Sequence, residues 1–261
     1  MSDWRNIWKE SIRACQNTVK NNDRKCKFDF KELENKYPND KMIQFEKGIA
    51  LECLGCKEDA RIIYTNVSDE NSGLPIKHWR TVASLFLKRV SEKKQGKVYS
   101  EKIVENFNKT DLADVQWTSF YYLHTFIYLP DHIRYLAISS MSRIDSEPEM
   151  VIVIFRTCLE EVMHNLHPTE YKKIIENNRE DLFKLLLYLY NEGNGKLISQ
   201  NPDKECLENE NNLSHEIRIR GNDAAHGNIL NYTPSYLIDT ICYFIELMDI
   251  SNKAFQKNIK I

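Results

Sequence analysis

Between Ile217 and Asn228 the chain gathers side chains that hold or move charge: Arg218, Arg220, Asn222, Asp223 and His226. A histidine can accept and return a proton near neutral pH, and an arginine offers a planar fork of donors to anionic oxygens. That pairing suits reactions in which negative charge grows on oxygen while a proton is taken from a nucleophile or given to a leaving group. Asn222 could donate to the same anion or hold the imidazole. Five residues separate Arg220 from His226. On an unbroken helix this turns them about 240° apart, at roughly 100° per residue, so they face different ways. A break at Gly221-Asn222, residue types favoured just past a helix end, with Asp223 capping the next turn, would bring both to one surface. The plainer alternative is that Arg220 pairs with Asp223 or Glu216 and His226 ends a turn at His-Gly.

Other candidates are less specific. Arg218 stands eight positions before His226 and reads as an accessory contact to an anion. Glu160 lies four residues after Arg156, the spacing of a helix-surface ion pair, with a supporting role at the site as the alternative. Cys53-x-x-Cys56 has the spacing of half a zinc site, but no second pair follows and Gly55 accounts for the turn. His164 and His167 make an i, i+3 pair without an apparent third ligand. No metal or cofactor is expected. The basic run 88–97 ordinarily belongs to a solvated helix end; tracking along RNA is its alternative.

These groups need helices to position them, and the composition favours helices. Only 8 Gly and 7 Pro punctuate 261 residues, too few for an all-β chain with a turn every ten residues or so. Apolar residues recur at helical spacing in 3–20, 28–36, 76–92, 101–107, 112–129 and 131–144, then at 150–166, 169–177, 180–191, 205–220 and 234–256. The second segment is a short helix over 28–36 with Phe28, Phe30 and Leu33, and Asn191–Lys204 reads as a mobile loop. The expected fold is all-α in two parts, 1–145 and 146–261. Charge divides similarly: residues 1–140 carry +4 and 141–261 carry −6, which points to different partners. Seven scattered cysteines suggest reduced thiols, and no apolar run approaches the ~20 residues of a membrane helix. The chain therefore reads as cytoplasmic, with no membrane partner.

Two resemblances refine this picture. Residues at about 40–67 resemble one tetratricopeptide repeat. Gly48 falls where its helices must approach, Gly55 ends the first, and Ala60 and Tyr64 are the small and aromatic contacts on the second. The Pro that closes such a repeat would fall near 72, but Pro75 follows instead, and no second copy is clear. A lone repeat cannot bury its own face, so the front half is expected to be a tetratricopeptide-like helical array that binds a protein partner or senses a trigger.

Across 147–256 the chain resembles the HEPN superfamily, through a HEPN-like branch found in prokaryotic defence and restriction-associated proteins. The resemblance rests on Phe155-Arg-Thr-Cys-Leu-Glu-Glu161, Asp181-Leu-Phe-Lys-Leu-Leu-Leu187 and Ile219-Arg-Gly-Asn-Asp-Ala-Ala-His-Gly227, in that order. It implies a helical bundle that dimerises, and a metal-independent endoribonuclease of the Arg-x(4–6)-His type with Arg220, Asn222 and His226 as its catalytic set. RNA would be the substrate, and a toxin or antiviral effector the role. Many HEPN domains are inactive, so the alternative it carries is a catalytically silent dimerisation or interaction subunit of a larger complex.

Overall fold

The computed structural model describes residues 4–68, 111–141, 143–144, 146–177, 181–191, 197–199, 202–229 and 231–259. Every regular element among them is helical. The helices expected at 76–92 and 101–107 and the basic run 88–97 lie outside the described residues. The chain divides into two compact units, Met1–Ser100 and Glu101–Ile261.

In the first unit, α1 (Trp4–Lys20) packs on α3 (Lys41–Cys53), with α2 (Asp29–Lys36) against both, and α3 packs on α4 (Lys57–Ser68). Asp40 caps α3, its carboxylate accepting from Met42 N and Ile43 N at 2.9 and 3.2 Å. The α3–α4 crossing is tight because Gly48 lacks a side chain: a β-carbon there would lie 2.6 Å from Cε1 of Tyr64. Ala60 and Tyr64 are fully buried opposite it. Gly55 turns the chain between the two helices at φ +79°, a region that disfavours a β-carbon. Phe28 departs from expectation. It precedes α2 and is 73% exposed, while Phe30 and Leu33 alone are buried on that helix.

The second unit begins earlier than the expected division near 145. Helices α5 (Leu112–Thr125) and α6 (Asp131–Met141) belong to it, α5 packing on α11 (Pro234–Ile259) and α6 on α7 (Pro148–Leu166). The prolines at 130 and 148 mark helix ends there, not a domain edge. Tyr128 N donates to Asn252 Oδ1 on α11 at 2.8 Å, tying the α5–α6 turn to the last helix. At the centre, Phe155 of α7 stacks on Phe244 of α11, ring centroids 3.8 Å apart and planes 6° from parallel.

A short α8 (Pro168–Tyr171) continues as a π-helical turn, Lys172–Asn177, followed by α9 (Leu182–Asn191) and α10 (Lys204–Ala225). Helix α10 packs on α7, α9 and α11. The loop before it is less free than expected over 197–199. Leu197 and Ile198 are buried, and Ile198 N and Ser199 N donate to the fully buried Glu210 carboxylate at 3.0 and 3.2 Å. No described helix is long and apolar enough to cross a membrane.

Candidate functional site

Helix α10 runs without interruption from Lys204 to Ala225, so the expected break at Gly221-Asn222 is not there. Gly221 serves a different purpose. It sits at the crossing with α7, where an added β-carbon would collide with the Arg156 side chain. The helix stops one turn later. Gly227 at φ +66° leaves the helix, Gly227 N donates to the Ala224 carbonyl (3.1 Å) and Asn228 N to the Asp223 carbonyl (2.8 Å). This is the paired termination in which a left-handed glycine follows the cap residue, and the cap residue here is His226.

An unbroken helix sends Arg220 and His226 to different faces, and Arg220 is used elsewhere. Its Nε donates to Glu216 Oε2 at 3.2 Å. One terminal nitrogen donates to the Tyr236 carbonyl (3.2 Å) and Thr240 Oγ1 (2.6 Å) on α11. The guanidinium also lies over the Tyr236 and Tyr243 rings, 4.5 and 5.0 Å from their centroids. With 14% of its side chain exposed, Arg220 bolts α10 to α11.

The arginine that shares a surface with His226 is Arg218. Arg218, Asn222 and His226 recur every four residues, which places them along one stripe of the helix. Together with Arg156 of α7 and Asp181, Leu182 and Phe183 at the start of α9, they line a cleft of about 220 Å³. His226 is exposed at its edge. The Nε atoms of Arg156 and Arg218 are both shielded from solvent without a hydrogen-bond partner. Two arginines against a single carboxylate, Asp181, leave the lining of the cleft cationic, which suits an anion. Asp181 is the one carboxylate among the lining residues, and an oxygen of it accepts from Lys184 N at 3.1 Å, at the head of α9.

Phe183 packs against α10. The Arg218 guanidinium lies 4.9 Å from its ring centroid and the His215 ring 5.5 Å away, tilted by 56°. Burial, reinforced by the Arg218 charge, lowers the pKa of His215, favouring its neutral form. The remaining candidates lie elsewhere. Asp223 is outside the lining, and Glu160 accepts from the Tyr171 hydroxyl at 3.2 Å, not from Arg156. His167 donates from Nε2 to the Leu197 carbonyl at 2.6 Å, and His164 packs on the Tyr171 ring. Among the described residues no group of three or more His, Cys, Asp or Glu could hold a metal ion.

Sequence reasoning singled out Asn222 and His226 and ranked Arg218 below Arg220. Arg156 enters there as a partner for Glu160 and within the 155–161 segment of the resemblance, and Asp181 and Phe183 within the 181–187 segment. The four-residue stride 218–222–226 was the available signal. Compared with protein-family models, curated proteins and solved structures, the chain matches none.

Proposed function

We propose that the protein is a metal-independent endoribonuclease of HEPN type, acting as a toxin or antiviral effector, with the scissile phosphodiester of RNA held in the α7–α9–α10 cleft. One observation carries this reading: Arg218, Asn222 and His226 share one face of α10 and line a single cleft with Arg156 of α7. In the reaction the 2′-hydroxyl oxygen bonds to the adjacent phosphorus, the bond from phosphorus to the 5′-oxygen breaks, and a 2′,3′-cyclic phosphate forms. The 2′-hydroxyl proton passes to a base, and the departing 5′-oxygen receives another. His226 carries one of these transfers, and its copy in a second protomer carries the other. Arg218 and Arg156 bind the non-bridging oxygens, whose charge grows in the transition state, and Asn222 donates to the same phosphate. Arg220 is the anchor beneath the site, not a catalytic group. The first unit, with its tetratricopeptide-like helix pair, binds a protein partner or senses the trigger.

The test is cleavage of labelled single-stranded RNA by the full chain, in the presence of a chelator, beside His226→Ala and Arg218→Ala. The expected result is 2′,3′-cyclic phosphate and 5′-hydroxyl ends, with His226→Ala slower by about 10²-fold or more. Equal cleavage by wild type and His226→Ala, or loss of cleavage on chelation, refutes the mechanism. A second reading, a catalytically silent HEPN-like dimerisation subunit, draws on the engagement of Arg220 with α11 and on the −6 charge of residues 141–261. It predicts a stable dimer and no RNA cleavage by wild type.

A further inference from the structure

We propose that Phe183 is a base-binding residue of the cleft, stacking on a base next to the bound phosphate. The inference rests on the ribonuclease reading and adds what the site recognises beside phosphate.

Phe183 is a large apolar residue left 37% exposed at the wall of a cationic cleft. Its position is well fixed. It lies in the first turn of α9, behind the Asp181 cap, and is braced by His215 and Arg218 of α10. A fixed, partly exposed ring can receive a base without first being ordered. The Arg218 guanidinium is over this ring, so a phosphate that reaches Arg218 brings its neighbouring base within reach of the exposed part of Phe183. His215, held toward its neutral form, extends the aromatic surface without adding charge. Leu187, four residues on and on the same face of α9, is 40% exposed.

Stacking of this kind needs a base free of its partner strand. Duplex RNA presents backbone and a shallow groove, whereas single strands can splay bases onto aromatic rings. Binding by Phe183 would also be tolerant of sequence, because every base offers a π face.

The experiment uses full-length protein carrying His226→Ala to prevent turnover, and reads fluorescence anisotropy with three probes: a short single-stranded oligoribonucleotide, the matching duplex, and an abasic strand of equal length. The single strand should bind more tightly than the other two. Phe183→Leu, which keeps an apolar contact with α10 but removes the ring, should weaken single-strand binding roughly 5- to 150-fold and leave the abasic strand within about twofold. Phe183→Trp should retain single-strand binding, which guards against a merely misfolded variant. Unchanged single-strand affinity in Phe183→Leu, or equal loss on the abasic strand, overturns the stacking proposal while leaving the ribonuclease reading in place. If none of the three probes binds, the ribonuclease reading fails as well.

Discussion

Replacing Arg220 by alanine separates the two arginines of α10 by their jobs. The guanidinium makes charge-assisted hydrogen bonds to Thr240 Oγ1 and the Tyr236 carbonyl, with Thr240 fully buried. Bonds of this type contribute about 1.5–3 kcal/mol. The two tyrosine rings add about 0.5–1 kcal/mol each. The Glu216 bridge adds at most about 0.5 kcal/mol, because that carboxylate side chain is 44% exposed and screened by solvent. These contributions share one group and do not sum fully, so the expected loss is about 2–4 kcal/mol from the second unit. Urea unfolding of the full chain measures it, with His226→Ala as a control expected to stay within about 0.5 kcal/mol of wild type. Cleavage assayed well below the unfolding transition should survive in Arg220→Ala and fall in Arg218→Ala. An Arg220→Ala protein of wild-type stability that no longer cleaves RNA would overturn this assignment and return Arg220 to the catalytic set.

Gly221→Ala should destabilise the second unit by about 1–3 kcal/mol, since the new methyl group meets the Arg156 side chain. The same substitution should weaken single-stranded RNA binding by displacing Arg156 from the cleft, and both effects are read on one purified variant. In the first unit, burial pushes Glu52 from 4.5 to about 7, against the opposing pull of the Tyr64 hydroxyl and Lys57. A raised carboxyl favours the folded state while protonated, so its contribution is complete below about pH 4.5 and is lost as pH rises through about 7. First-unit stability should therefore fall across that window by on the order of 1–3 kcal/mol, and Glu52→Gln should flatten the profile in urea titrations at several pH values.

Helix positions were legible because apolar spacing reports which face of a segment is buried, and α7, α10 and α11 each display that spacing over several turns. Partnership between helices was not legible in the same way. Nothing in residues 112–141 says whether their apolar faces meet the helices before or after them, and proline breaks look alike at a helix end and a domain edge. The site shows the same limit at finer grain. A glycine inside a polar, helix-compatible stretch can end a helix or let another helix in, and Gly221 and Gly227 are one of each. Once Gly221 is taken as a stop, Arg220 swings toward His226; once it is taken as a contact, Arg218 does. The rotation of a helix over six residues was computable in advance, but the identity of the residue packed against Gly221 was not.

The meeting of Gly221 with Arg156 has a consequence for how an anion is received. A free arginine carries roughly 2 kcal/mol of rotamer entropy, and a ligand that immobilises it ordinarily bears that cost on binding. Here the side chain of Arg156 lies against the bare backbone of α10, so most of its wandering is already forfeited when the bundle forms. An arriving phosphate then meets a cation at a settled address, and the expense of ordering it has been moved from recognition to folding.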